Sequence, residues 1–317
     1  VSISTVSRVL NAPEQVASAT RSRVMAAIDK LGFVPKAEAT ARARKGTRRI
    51  GVLVPFFTYP SFVLRLRGIA SPLREATYEM VVYNIESASQ RDIHLATLPI
   101  TRRIDGLVIM SLPIAEGDAQ RLIANDLEAA LIEFEHPAFS SVGIDDYAGG
   151  KLAAHYFAER GRRRCAFIGD SSVPDYALPT SQRRLEGFRE GLRDFGLLLP
   201  PEYIRLAPHG VEPARQQAHE LLNLPHPPDA IFAPSDTQAV GVLKSARELG
   251  VAVPQQLAVI GFDDVEVADY IGLTTVHQPL EESGRIAVSL LLARLAAPMR
   301  TVQKVVLPLQ IVQRETA

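Results

Sequence analysis

At 317 residues the chain is too long for one ordinary hydrophobic core, so two or three domains are expected. It is 47% apolar and 22% charged, no stretch reaches 18 apolar residues, nothing resembles an export signal, and its one cysteine excludes an intramolecular disulfide; a cytoplasmic globular protein with no membrane partner is the simplest expectation. The net charge of zero is unevenly spread: residues 1–49 hold ten Lys or Arg against three acids, so a +7 segment is joined to a −7 body, which points to a polyanionic partner.

Residues 4–11 and 18–31 read as helices. In the second, Val24, Ala27, Ile28 and Leu31 recur at helical spacing, Ser18 or Thr20 stands where a cap belongs, and Gly32 ends it. Pro35 opens KAEATARARKGTRR, which has little to bury and reads as a linker. From Ile50 short apolar runs alternate with amphipathic helices. Strands are expected at 50–57, 80–85, 105–112, 129–134, 141–146, 165–170, 202–207, 229–236, 257–264 and 274–278. Helices are expected at 62–78, 149–161, 184–196, 212–223, 237–250 and 279–295, with RDIHLATLPITRRI as helix and turn. Cys165, inside the apolar strand pattern CAFIGD, is expected in a core rather than in chemistry. The alternation makes an α/β fold of parallel sheets flanked by helices, and this many strands need two sheets. The strand ends PFF, SLP, IDD, GDSS, PSD and FDD fall where parallel sheets bind ligands. They are rich in Asp and Ser, and no GxGxxG or GxxxxGK follows them. That favours a neutral, hydroxyl-bearing ligand over a dinucleotide or nucleoside triphosphate.

The first helix presents Ile3, Ser4, Thr5, Ser7 and Arg8. Hydroxyls and helix N–H groups take phosphates, arginine reads guanine, and isoleucine meets a thymine methyl. Val6, Val9 and Leu10 are left to face a small core. VSISTVSRVLN is followed in order by VMAAIDKLGFVP, RRIGVLVP, RRIDGLVI, SVGIDDYAGG, GRRRCAFIGD, RRLEGFREGL, PDAIFAPSDTQAVGVLKSARELGVAVPQQLAVIGFDD and LTTVHQPLEESGRIAVSLLL. Spread over the whole chain, these stretches resemble the lactose-repressor/galactose-repressor (LacI/GalR) family of bacterial transcriptional regulators.

The resemblance implies a two-lobed, periplasmic-binding-protein-like core of type I behind an incomplete helix-turn-helix headpiece. The headpiece would be 1–34, with the first helix of the family pattern absent, and the hinge 35–46. The N-terminal lobe would be 47–147 plus 279–298, and the C-terminal lobe 148–278 plus 303–317, with crossings near Asp145, Gln278 and Thr301. Arg42 stands where the family's wedging hinge leucine is expected and Thr40 where arginine is usual. An arginine enters a narrow minor groove but does not unstack a base step as an alkyl wedge does.

For the effector, the resemblance implies Asp236 as a carboxylate acceptor for vicinal hydroxyls, with an N-cap for the following helix as the plainer alternative. Arg184 matches the family's ligand-binding arginine, while its neighbour Arg183 points elsewhere. Tyr59 and Phe62 lie in FFTYPSF, where the family often reads SNPFF, and His209 lies where some members stack an aromatic on the ligand. Asp263 and Gln278 are further polar candidates, Glu133 a weaker one, and Asp145 is expected to tie the crossover. Seven scattered histidines and one cysteine offer neither a catalytic triad nor a metal cluster, so no enzyme, metal or cofactor is expected. The reading is a repressor that binds a double-stranded operator as a homodimer, pairing through helix 62–78 and apolar residues of helix 279–295, with a neutral sugar as effector. A purine, a sugar phosphate, or a solute-binding protein without DNA binding are the alternatives.

Overall fold

The computed structural model describes residues 2–31 and 46–317; Arg42 and the hinge expected at 35–46 lie outside or at the edge of them. Two short helices come first, α1 (Ile3–Asn11) and α2 (Ser18–Leu31). Ser2 caps α1, its side chain accepting from the Thr5 N–H at 3.2 Å. Val9, Leu10, Val24, Met25 and Ile28 form a small buried cluster.

The first sheet contains β1 (Arg49–Pro55), β2 (Glu79–Ile85), β3 (Gly106–Met110), β4 (Glu128–Ile132), β5 (Ser140–Gly143) and β11 (Lys304–Val306), in the order β11-β5-β4-β3-β1-β2. Helices α3 (Pro60–Glu75), α4 (Ala88–Thr101) and α5 (Glu116–Ala124) connect its strands. In β1, β3 and β4 nearly every residue is buried, as an inner parallel strand covered on both faces requires. The edge strand β2 stays half exposed.

The second sheet runs β12-β10-β9-β8-β6-β7, from β6 (Cys165–Asp170), β7 (Ile204–Ala207), β8 (Ala230–Phe232), β9 (Ala258–Asp263), β10 (Thr274–His277) and β12 (Gln310–Val312). All its pairs are parallel except β10 with β12. Around it lie α6 (Asp146–Glu159), α7 (Thr180–Arg193), α8 (Val211–Leu222), α9 (Asp236–Glu248) and α10 (Glu266–Tyr270), whereas α11 (Leu280–Ala296), which follows β10, brings Leu291 and Leu295 against Gly106 of β3 in the first sheet. Phe157, Phe167, Phe188, Phe232 and Phe262 form a chain of ring contacts through the core. Cys165 is buried there, and burial pushes its thiol up to about 12.

Helices α6 and α7 touch backbone to backbone through Gly150 and Gly187. A Cβ on Gly150 would lie 2.0 Å from the Arg184 carbonyl oxygen, and one on Gly187 would lie 1.9 Å from that of Tyr147. This approach sets the start of α6 beside Arg184.

The chain divides into two compact units: Val1–Thr58, Leu66–Val142 and Gly284–Lys304 in one; Tyr59–Arg65, Gly143–Ser283 and Val305–Ala317 in the other. The start of α3, read from sequence as part of the first lobe, groups with the second unit. The sequence reading passed over α5, α10, β11 and β12, whose apolar residues are too few for a periodic signal, and it drew β8 too long at its end.

Candidate functional site

Because β6, β8, β9 and β10 run parallel, their carboxyl ends line one edge of the second unit, and the chain leaves each with a polar residue. Asp170 ends β6, Ser235 follows β8, Asp263 ends β9 and Gln278 follows β10. Arg184, only 6% exposed, joins them from α7. Its Nε donates to Asp146 Oδ1 at 2.8 Å and its Nη1 to the Pro234 carbonyl at 2.6 Å. Its guanidinium lies 3.6 Å from the Phe262 ring centre, so the aromatic core stops at this arginine. Nη1 is 3.9 Å from Asp263 Oδ1. Arg183 points away, paired with Glu186.

Gln278 donates through Nε2 to Asp263 Oδ1 and accepts through Oε1 from Arg65 Nη2 at 3.1 Å. An amide held from both sides cannot flip without losing both bonds. Arg65 is 3% exposed and lies over the Phe62 ring at 5.6 Å. Asp263 and Asp264 have φ of +109° and +60°, backbone that non-glycine residues rarely adopt and that gathers at functional sites.

At the other end of this edge the Tyr59 and His209 rings stack, centres 4.7 Å apart and planes 17° apart. His209 Nδ1 meets Asp170 Oδ1 at 3.2 Å, and Gln238 Nε2 donates to the same oxygen at 3.1 Å. Burial first, and then the nearby Asp170 charge, raise the Tyr59 phenol above its ordinary value.

Asp236 departs from its expected role. It has no exposed surface; Oδ1 accepts from the Thr275 hydroxyl at 2.6 Å and Oδ2 from the Val265 N–H at 2.8 Å. It therefore ties β10 to Val265, the residue that caps α10 at the end of the β9–α10 loop. Nor is it the helix cap: Ser235 is, accepting from the Gln238 N–H. Asp145 likewise caps α6, accepting from the Ala148 N–H at 3.0 Å.

Burial, reinforced by the Asp263 charge, pushes the Asp236 carboxyl well above the usual range, against the pull of its two hydrogen bonds. The folded protein thus holds this proton more tightly than the unfolded chain. The stability it contributes is complete below the ordinary carboxylate range and lost as pH rises through the raised value. In Asp236→Asn this loss should disappear. Thermal melts from about pH 4 to about pH 8 should show the parent declining relative to the variant, spanning the range above an ordinary aspartate. A constant gap across that range would contradict the raised value.

In the first unit, Phe56, Ser111 and Glu133, which follow β1, β3 and β4, all have positive φ (48°, 53° and 65°). The Ser111 hydroxyl donates to Glu133 Oε2. Sequence reasoning missed Arg65, Asp146, Asp170 and Gln238. For Arg65 a signal existed, because it shares the stripe Phe62, Ile69 and Leu73, all buried on one face of α3.

On α1, Ile3 is 90% exposed, and Ser4, Ser7 and Arg8 are exposed beside it. Thr5 is half-buried, its hydroxyl 2.9 Å from that of Ser2. The headpiece cluster packs on α4 through Ile100 and Ala96, and Asp29 of α2 pairs with Arg121 of α5 at 2.9 Å. Among the described residues no helix is long and apolar enough to cross a membrane.

Residues 1–36 match the family model of bacterial regulatory proteins, lacI family, and residues 154–317 that of a periplasmic binding protein-like domain. The HTH-type transcriptional repressor CytR of Escherichia coli (strain K12) is 34% identical over 302 residues, covering 92% of this chain and 86% of that protein. The ribose operon repressor of the same strain is 31% identical over 324 residues, covering 100% and 96%. A solved complex of the transcriptional regulator CelR with cellobiose has a TM-score of 0.74 at 28% identity, covering 100% of this chain and 96% of that one. With a headpiece that matches the lacI family model ahead of a periplasmic-binding-protein-like core, this chain belongs to the lacI family of bacterial regulatory proteins: it is a DNA-binding regulator responsive to a small molecule, and not an enzyme.

Proposed function

We propose that this regulator represses transcription as a two-fold dimer on a pseudo-palindromic operator, and that its effector is a neutral sugar. Ile3, Ser4, Ser7 and Arg8 read the major groove, with Thr5 in support, and Arg42 of the hinge enters the minor groove. Residues 1–34 serve as headpiece, 35–46 as hinge, and the two units as effector-binding lobes. Arg184, Asp263 and Gln278 hold the sugar hydroxyls, and the Tyr59–His209 stack and Phe62 offer apolar faces to its C–H surface.

One observation carries the sugar reading. On the carboxyl edge, Arg65 and Arg184 are matched by Asp146 and Asp263, with Asp170 beside His209, so donors and acceptors alternate with no positive surplus for a phosphate. Buried hydroxyls need such matched partners, each unpaired one costing about 1–3 kcal/mol. The cellobiose held by the similar CelR and the printed name of the ribose operon repressor favour the same class.

Thermal-shift screening of the chain against mono- and disaccharides, nucleobases, nucleosides and sugar phosphates should yield its largest shift with a neutral sugar. A shift produced only by purines or only by phosphorylated sugars would overturn the assignment.

A further inference from the structure

We propose that the amino edge of the first sheet, carrying Arg48, Arg49, Arg102 and Arg103, is a second surface of this protein that meets the phosphates of duplex DNA. The proposal rests on the DNA-binding reading and adds a contact outside the headpiece and the hinge.

Strand register brings the four arginines together. Arg49 pairs with Glu79 at the start of β2, and Ile50 with Gly106 at the start of β3. The two arginines that open β1 therefore lie level with Arg102–Asp105, the turn that leads into β3. Arg49 and Arg103 are close enough that both charges act on the same Tyr83 phenol.

Two acids at this edge, Asp105 and Glu79, have partners within the protein. Asp105 is turned onto the backbone, Oδ1 accepting from the Thr47 N–H at 2.6 Å and the Thr47 hydroxyl at 2.9 Å, Oδ2 from the Arg48 N–H at 2.8 Å. Those bonds pin the point where the chain enters the sheet. Glu79 meets Arg49 at 2.7 Å with both side chains more than half exposed, a geometry that contributes little to stability and yields readily to a competing phosphate. Arg48 lies over the Tyr78 ring at 5.2 Å, which steadies an otherwise exposed guanidinium. Arg48, Arg49 and Arg103 are exposed and Arg102 half-buried.

The same edge adjoins the headpiece. Ile100, in the last turn of α4 and two residues before Arg102, packs in the cluster with Val9 and Leu10. Arg8 thus stands at the end of the unit that carries the four arginines. The local alternative is that Arg102 and Arg103 only offset the negative end of α4, but that accounts for neither Arg48 nor Arg49.

The test is fluorescence anisotropy of the full chain with a labelled duplex of random sequence over a series of NaCl concentrations. The double variant Arg49→Gln, Arg103→Gln alters only exposed side chains. It should weaken binding about tenfold at low salt and reduce the salt slope by about one per arginine that meets a phosphate. Lys244→Gln, an exposed change on α9, should leave affinity and slope as in the parent. If Arg8→Ala weakens binding and the double variant does not, the headpiece reading stands and this surface falls. A parent chain with no salt-dependent binding would remove both. A lowered melting temperature with an unchanged slope would assign the arginines to the α4 terminus alone.

Discussion

Asp263→Asn is expected to weaken effector binding about 100-fold, the equivalent of losing one or two charge-assisted hydrogen bonds of about 1.5–3 kcal/mol each. The direction follows from the locked amide beside it. Gln278 Oε1 is occupied by Arg65, so its Nε2 must donate toward residue 263. An asparagine there turns its carbonyl to that donor and its NH2 toward the effector, presenting a donor where sugar hydroxyls need an acceptor. Folding should be nearly unaffected, because asparagine tolerates the positive φ of this position as aspartate does. Titration calorimetry with the sugar that gives the largest thermal shift measures the loss. Affinity within threefold of the parent would mean that Asp263 does not hold the ligand.

Gly187→Ala is expected to lower stability by about 3 kcal/mol, roughly 6–12 °C in Tm for a unit of this size. The new Cβ would lie 1.9 Å from the Tyr147 carbonyl oxygen, and that neighbour is backbone, which has no rotamer to give way. Helices α6 and α7 must part by more than an ångström. The pair Arg184–Asp146, which spans this crossing, must lengthen with them. Scanning calorimetry should therefore show a lower Tm together with weaker effector binding. Gly117→Ala, on α5 with nothing within 4 Å of the new atom, is the matched control and should leave both unchanged or slightly improved. Equal melting of the two variants would show that the helices are not held at this separation.

Much of this architecture is legible along the chain. The apolar run CAFIGD is β6 residue for residue, and the 3.6-residue pattern of 18–31 is α2 at both ends, because a buried strand and an amphipathic helix each print their period on the sequence. The polar character of the strand ends is legible too, and so is the basic N-terminal segment. What sequence does not separate is the role of two aspartates that both follow apolar strands. β8 stops at Phe232, so Asp236 falls one residue inside α9 and points under β10, while β9 runs through to Asp263 at its edge. A shift of four residues in where a strand ends moves one carboxylate into the core and leaves the other beside Arg184. Arg65 belongs with them: its place on a buried helical stripe is visible in sequence, but its partner is Gln278, on a strand end far along the chain. Local periodicity is a property of neighbours in sequence and was determined there; the pairing of Arg65, Gln278, Asp263 and Arg184 depends on contacts between residues remote in sequence, and only the placing of α7 and of residues 59–65 at the carboxyl edge of the second sheet decided it.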